Sequence, residues 1–308
     1  MKRDVVVLNC GSSSVKFAII DADTGEAGLS GIAESLGNSD ASLTFKHNGS
    51  KNKVQLSPNA GHTEALNAIQ TVITDTGVAP IAVGHRVVHG GERFKQAALV
   101  DDSVLADVEK YASMAPLHNM ANLKGITTAQ EAYPDLPHVV VFDTSFFQKM
   151  PEKAYLYALP KALYRDHGIR RYGFHGTSHK FILDSTAALL DKPVAQTSII
   201  SAHLGNGCSV TAIEQGVAVD TSLGFTPLEG LIMGTRSGDL DPSLPGTLQN
   251  KLGKTADEIN DLLNKSSGLL GISELSNDCR TLEDAAIEGH EGAKLAIEMF
   301  CYRLAKYI

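Results

Sequence analysis

The stretch VVVLNCGSSSVKFAII, residues 5–20, sets the fold: an apolar run, a turn rich in small polar residues, then a second apolar run. A Walker-type phosphate loop would need G-x-x-x-x-G-K-[ST] leading into a helix, whose N-terminus completes the anion site. Neither condition holds. Val15, Phe17, Ile19 and Ile20 are β-branched or aromatic and favour a strand, so the unit reads as strand, polar turn and antiparallel strand. Thr197–Ile213, TSIISAHLGNGCSVTAI, repeats the device with Gly, Asn and Ser in its turn. Glycine-turn hairpins are common, but each copy opens a predicted sheet, one in each half of the chain. The expectation is that their turns face each other and grip one polyphosphate through backbone N–H groups.

Around these hairpins the pattern is that of an α/β protein. Strand-like runs at Val5–Leu8, Val15–Ile20, Ile81–Val88 and Val139–Phe142 alternate with helical ones such as Thr63–Asp75. In that helix Leu66, Ile69, Val72 and Ile73 share a face, and Gly77 follows as a stop. Asn38–Pro58 is polar and hairpin-like, a surface excursion from the sheet. The rhythm changes at Met150–Lys161, which carries two prolines and no clean period, so the expected division is into domains 1–150 and 151–308.

Bulk properties narrow the function. A chain of 308 residues, 43% hydrophobic and 20% charged, has the composition of a globular protein of two-domain size. A net charge of -8 speaks against nucleic acid as a partner, because neutralising phosphates needs a basic surface. No apolar segment approaches transmembrane length, which speaks against a membrane. Cys10, Cys208, Cys279 and Cys301 form no C-x-x-C pair, and reduced thiols in a cytoplasmic chain are the expectation.

Several residues carry candidate chemistry, each with a plainer reading beside it. Arg86, in HRVVHGGERF, interrupts an apolar strand and needs an anion, either a structural carboxylate or a ligand. Arg236, in MGTRSGDLDP, lies between glycines that admit a close ligand, or is simply an exposed loop arginine. Asp143 ends the strand VVVF and is either a metal or phosphate-site residue or a helix cap. His175, in RRYGFHGTSH, either donates to developing phosphoryl charge or stands by while Thr177 caps the next helix. Asn206 and His203, in HLGNG, serve either the turn or a phosphate. G-x-S-x-G is absent, and Ser12–Ser14 lie in a hairpin without the elbow that exposes a nucleophile. Two arginines, a carboxylate, a histidine and two polar turns suit phosphoryl transfer, where the protein positions reactants and neutralises charge.

In sequence the motifs NCGSSSVK, GHRVVHGGE, APLHN, FDTSF, RRYGFHGTSH, HLGNGCSV, FTPLEGLIMGTRSGDLDP and SNDCR run in order from residue 9 to 280. On these motifs the chain resembles the acetokinase family of the actin-like ATPase superfamily. The resemblance implies a two-domain actin-like (ribonuclease H-like) ATPase fold with duplicated sheet cores. It also implies reversible, ATP-dependent phosphorylation of acetate to acetyl phosphate by in-line transfer. By resemblance, Arg86 and Arg236 hold the acyl substrate and the phosphoryl in flight, His175 stabilises the transition state, and Asn9 and Asp143 organise magnesium, with manganese as a substitute. Val88, Leu117 and Pro227 match the pocket for the acetate methyl. Ser12, Lys16, His203, Asn206, Gly207, Asp278, Cys279 and Arg280 match the side that takes the phosphates of ATP or ADP. A cytoplasmic homodimer, joined through the second domain, is also implied.

Members of the family continue into a glycine-rich adenosine-binding segment and a late glutamate of the magnesium site, whereas this sequence stops at AKYI within a helical pattern. The expectation is a second domain truncated at its C-terminal end, with an incomplete adenine pocket. At Cys279 relatives also carry an aromatic. Two rival readings stand beside the main one: a propionate or butyrate kinase of the same family, and a non-catalytic actin-like nucleotide-binding module. The retained arginines, carboxylate and histidine argue against the module, which needs no transition-state set.

Overall fold

The computed structural model describes residues 3–114 and 116–308. The chain divides into two compact units, Met1–Ser145 and Phe146–Ile308.

In the first unit the opening stretch forms strands β1 (Asp4–Cys10) and β2 (Val15–Asp21). They pair antiparallel from Asp4 opposite Asp21 to Cys10 opposite Val15. The turn between them is closed by the Gly11 N–H donating to the Ser14 carbonyl at 2.8 Å. Strand β3 (Ala27–Glu34) extends the meander. Strands β4 (Ser42–His47) and β5 (Ser50–Gln55) form the polar hairpin at the sheet's edge, with every β5 residue exposed. Helix α1 (His62–Asp75) follows; the Glu64 carboxylate accepts the N–H of its cap residue Gly61, and Gly77 ends the helix with φ at +72°. Next come β6 (Ala82–Val87), the two-residue β7 (Ala98–Leu99), α2 (Asp102–Lys110), α3 (Pro116–Ala132) and β8 (His138–Phe142).

The sheet order is β5-β4-β3-β2-β1-β6-β8-β7. β6 runs parallel to β1, and β8 runs parallel to β6. An antiparallel three-strand meander continued by two parallel strands is the ribonuclease H-like order. Alternation makes it so: Val6, Leu8, Cys10, Val83, Val87, Val140 and Phe142 are buried, while the residues between them face the other way. α1 and α3 cover the buried face, Leu66, Ile69 and Ala129 packing with Val6 and Leu8. Each such valine, leucine or isoleucine side chain contributes about 1.5–3 kcal/mol by leaving water.

The second unit opens with short helices α4 (Glu152–Tyr155) and α5 (Lys161–His167), followed by α6 (Gly176–Leu189). The second hairpin is β9 (Ile199–Leu204) and β10 (Cys208–Glu214), joined by β11 (Val217–Thr221) in the order β11-β10-β9. Helices α7 (Leu244–Leu252), α8 (Ala256–Lys265), α9 (Gly268–Ser273), α10 (Cys279–Ile287) and α11 (Glu291–Tyr307) complete it. Ile232, Leu269, Leu282, Ala293 and Ala296 form the core that α9, α10 and α11 share. Among the described residues no helix is long and apolar enough to cross a membrane.

Candidate active site

In the first unit the site is a consequence of strand register. Asn9, near the end of β1, Arg86 in β6 and Asp143, one residue past β8, all occupy the alternation positions opposite the buried core face. The parallel pairing of β1 with β6 and of β6 with β8 brings those positions side by side at the carboxyl ends of the strands. Arg86 Nε donates to Asp143 Oδ1 at 2.9 Å and Nη2 donates to Oδ2 at 2.6 Å, while Nη1 donates to Asn9 Oδ1 at 3.2 Å. The Asp143 side chain is 2% exposed and that of Arg86 37%. Burial disfavours the charged guanidinium, yet the hydrogen bonds and charge of Asp143 outweigh it and raise the Arg86 pKa above its ordinary value. Of the two anions open to Arg86, the carboxylate is therefore present. Among the described residues three of the guanidinium's five N–H groups are spent, which leaves capacity for a ligand.

Lys16 is the cross-strand partner of Asn9, and Ser12 lies exposed in the turn beyond. His62 of α1 anchors that turn through a 2.7 Å bond between its Nε2 and the Gly11 carbonyl. Cys10 is 5% exposed and packed against Gly125 of α3, and burial pushes its thiol up to about 12. It is a packing residue.

The segment after β6 is fixed by side chains that sequence reasoning did not single out. Asn122 Oδ1 accepts the Val88 N–H at 3.1 Å, and its Nδ2 donates to the Cys10 carbonyl at 2.7 Å. Asn119 Oδ1 accepts the His89 N–H at 3.1 Å, while its Nδ2 donates to the carbonyls of His89 and Val108 at 2.9 and 3.2 Å. Thr144 Oγ1 accepts the Gly90 N–H. A Cβ on Gly90 would come within 2.7 Å of the Phe142 ring, so only glycine lets the chain pass there. APLHN contains Asn119 and was the available signal. Val88 is buried at this turn, whereas the Leu117 side chain lies outside the described residues.

The second unit gathers His175, His203, Gly207 and Arg236. α6 begins at Gly176, with His175 as its cap residue at φ +60° and without a side-chain cap bond. Thr177 is thus inside the helix, and the capping role open to it in the sequence is not the one it takes. The left-handed backbone at His175, costly for most residues, spends its imidazole elsewhere. His175 Nδ1 bonds Ser209 Oγ at 2.8 Å, and its ring stacks on His203 at 4.1 Å between centroids. His203 Nδ1 in turn bonds Ser178 Oγ at 2.9 Å.

Gly207 faces this cluster. A Cβ there would stand 3.4 Å from His175 Nε2 and 3.5 Å from Arg236 Nη1, so an imidazole nitrogen and a guanidinium converge on the space a side chain would take. Arg236 Nη1 also donates to the Pro227 carbonyl at 3.0 Å, which ties the FTPLEG and GTRSG loops together. Asn206, in the same turn, accepts at Oδ1 from Asn277 Nδ2 at 2.9 Å, and its carbonyl accepts the Gly234 N–H. Asn277 was overlooked although SNDCR contains it. Asp278 caps α10 by accepting the Thr281 N–H at 3.0 Å, a bond that holds its carboxyl below its usual range. Cys279 and Arg280 are exposed in the first turn of that helix.

An arginine braced at strand ends in the first unit, and in the second an arginine and an imidazole converging beside a glycine turn, are the equipment of an α/β phosphotransferase. The acetokinase family profile matches residues 4–308, and the chain belongs to that family. It is 56% identical over 308 residues to the acetate kinase of Shewanella sp. (strain W3-18-1), covering 99% of this chain and 77% of that one. With the acetate kinase of Chromobacterium violaceum the identity is 55%, covering 100% and 78%. Among solved structures, a propionate kinase from Francisella tularensis subsp. tularensis SCHU S4 superposes with a TM-score of 0.96 at 42% identity, covering 99% of this chain and 78% of its own. Porphyromonas gingivalis acetate kinase gives 0.92 at 45%, with the same coverage.

Proposed function

We propose that this chain transfers the γ-phosphoryl group of ATP to the carboxylate of acetate, reversibly, giving acetyl phosphate and ADP. A carboxylate oxygen forms the new bond to phosphorus as the bond to the ADP oxygen breaks. Acetate is already ionised near neutral pH, so no general base is required. The obstacle is charge: an anion must approach a polyanion, and two unit charges at 4 Å already repel by about 4 kcal/mol at an effective dielectric of 20. Fixed cations and hydrogen-bond donors lower that barrier.

One observation carries the reading: His175 Nε2 and Arg236 Nη1 converge beside Gly207, 3.4 and 3.5 Å from where a Cβ would stand. In this reading Arg236 and His175 meet the equatorial oxygens of the phosphoryl in flight. Arg86, oriented by Asp143, takes the acyl carboxylate. Val88, Leu117 and Pro227 receive the methyl, while Ser12, Lys16, His203, Asn206, Gly207, Asp278, Cys279 and Arg280 serve the nucleotide side.

Asn9 and Asp143 offer oxygen donors, the ligand type magnesium prefers. Each Asp143 oxygen accepts one Arg86 N–H and keeps further lone-pair capacity. Among the described residues no three His, Cys, Asp or Glu side chains converge as a metal cage. Asn9 and Asp143 would therefore hold a magnesium ion, or manganese in its place, through oxygen. When bound, the metal neutralises phosphate charge.

A propionate preference is the second reading, favoured by the likeness to the Francisella tularensis propionate kinase. One methylene in an apolar pocket changes discrimination by only about 1–3 kcal/mol. Hydroxylamine trapping with ATP, magnesium and each of acetate, propionate and butyrate tests both readings. The expected result is acyl hydroxamate, most with acetate; no hydroxamate from any of the three overturns the kinase reading. We further propose a cytoplasmic homodimer joined through the second unit, where Phe181 and Leu189 of α6 are 68% and 84% exposed. Sedimentation velocity reads that association directly.

A further inference from the structure

Behind His175 lies a buried chain of hydrogen bonds. α6 rests on β9 and β10, and His179, one helical turn after His175, bonds Ser209 Oγ through Nε2 at 2.8 Å and Ser201 Oγ through Nδ1 at 2.9 Å. The same Ser209 oxygen meets His175 Nδ1 at 2.8 Å. The series therefore runs Ser201, His179, Ser209, His175. Ser201, His179 and Ser209 are 2%, 0% and 0% exposed.

A neutral imidazole has one donor and one acceptor nitrogen, and a hydroxyl carries a single proton. Ser209 could accept from both imidazoles, but its own buried O–H would then lack an acceptor, so with every proton partnered the members point their protons the same way. In one direction Ser201 donates to His179 Nδ1, His179 Nε2–H donates to Ser209, and Ser209 donates to His175 Nδ1. In the other direction every bond reverses, and the Ser201 proton must find a second acceptor. Among the described residues the Ser201 hydroxyl has one hydrogen-bond partner, His179 Nδ1. Reversal would leave a fully buried O–H without an acceptor, which native interiors avoid. Burial, with His203 nearby, lowers the His179 pKa to about 4, so it stays a neutral relay near pH 7.

We propose that Ser209, backed by His179 and Ser201, is a positioning residue that donates to His175 Nδ1 and holds His175 as its Nε2–H tautomer. The proton then sits on the nitrogen that shares the space beside Gly207 with Arg236. Resting on the phosphoryl-transfer reading, this means that His175 offers phosphoryl oxygens an N–H and not a lone pair. The stacked His203 ring, pinned by Ser178, holds the imidazole plane.

The test is a histidine side-chain nitrogen NMR experiment on the full chain without substrates, at pH 7.5, with His175 assigned by a His175→Gln spectrum. The expected signature is a protonated Nε2 and an acceptor Nδ1 at His175. Ser209→Ala should abolish that tautomer preference and lower kcat at least tenfold with KM for ATP within twofold, and Ser209→Thr, which restores a hydroxyl, should recover both. A His175 protonated at Nδ1 in the unsubstituted chain overturns the proposal, and so does a Ser209→Ala protein that keeps the tautomer. The first of these readouts needs no variant, so misfolding of Ser209→Ala does not remove the test. Because the tautomer is read without substrate, its failure is separable from failure of the hydroxamate assay, which bears on the kinase reading alone.

Discussion

Arg86 grips Asp143 through two parallel hydrogen bonds, 2.9 and 2.6 Å long, while its third nitrogen reaches Asn9. The pair is asymmetric, with the carboxylate sealed and the guanidinium over a third exposed. Arg86→Ala strands a buried carboxylate, which costs a few kcal/mol, toward the low end of the range because the pair is partly solvated. Arg86→Lys keeps the charge but loses the fork. The expected results are a lowered Tm with Arg86→Ala, a nearly normal Tm with Arg86→Lys, and acetate kcat/KM reduced at least 100-fold in both. Undiminished kcat/KM in Arg86→Lys would remove Arg86 from the substrate site.

Arg236 differs, because its Nη1 donates to a neutral backbone acceptor, the Pro227 carbonyl, at 3.0 Å. Losing one neutral acceptor's partner changes stability by about 1 kcal/mol. Losing a donor aimed at transition-state charge costs about 100- to 1,000-fold in kcat. Arg236→Ala should therefore show a Tm within a few degrees of the parent and a kcat lower by two to three orders of magnitude. An intact rate would exclude it from the chemistry.

Gly207→Ala probes the shared space itself. The added methyl would lie 3.4 and 3.5 Å from His175 Nε2 and Arg236 Nη1, ordinary contact distances, and Gly207 is not among the positive-φ glycines. Folding should be unaffected, while acetyl phosphate formation falls at least tenfold because the methyl occupies the ligand's place. A variant with parental kcat and KM would show that nothing binds there.

Much of this architecture was legible in the chain. Alternating apolar positions in VVVLNCGSSSVKFAII and HLGNGCSV yield two hairpins with paired registers, since a period of two leaves one way to bury Val6, Leu8 and Val210. Legibility stopped where partners are remote. Arg171 bonds Glu229 at 2.6 Å and Tyr157 bonds the same carboxylate at 2.5 Å, across 58 and 72 residues, and no local pattern announces such pairs. His175 was misleading at its backbone for a related reason. The helix start looked like a Thr177 cap, but tertiary bonds to Ser209 and stacking on His203 outweigh the local capping preference.

Asn119 shows what such remote bonding is worth. It satisfies the His89 N–H and the carbonyls of His89 and Val108, all at the HGG turn or packed against it, and is 0% exposed. Asn119→Ala leaves three buried backbone groups without this partner, a loss of roughly 2–4 kcal/mol. A fall in Tm of about 5–10 °C is expected, together with a raised acetate KM as Val88 shifts. A Tm within 2 °C of the parent would contradict the bonding scheme.

Buried histidines should also make the fold acid-sensitive above the range where carboxylates titrate. His85 donates from Nε2 to His138 Nδ1 at 2.9 Å, because His138 Nε2 is committed to the Tyr133 carbonyl at 3.1 Å. Burial, then the neighbouring His138, lowers the His85 pKa to about 3, and burial lowers that of His89 to about 4. An unfolded histidine takes up its proton near 6.5. Between that pH and about 4 the unfolded chain therefore binds protons the folded chain does not, and stability falls as pH falls, by up to about 1.4 kcal/mol per pH unit for each such group. Denaturant titrations at pH 7.0, 6.0, 5.0 and 4.5 should show this slope, and His85→Gln, whose amide can still donate to His138, should flatten it. A stability that is level from pH 6.5 to 4.5, or an equal slope in His85→Gln, would mean that His85 is not the neutral buried donor its geometry requires.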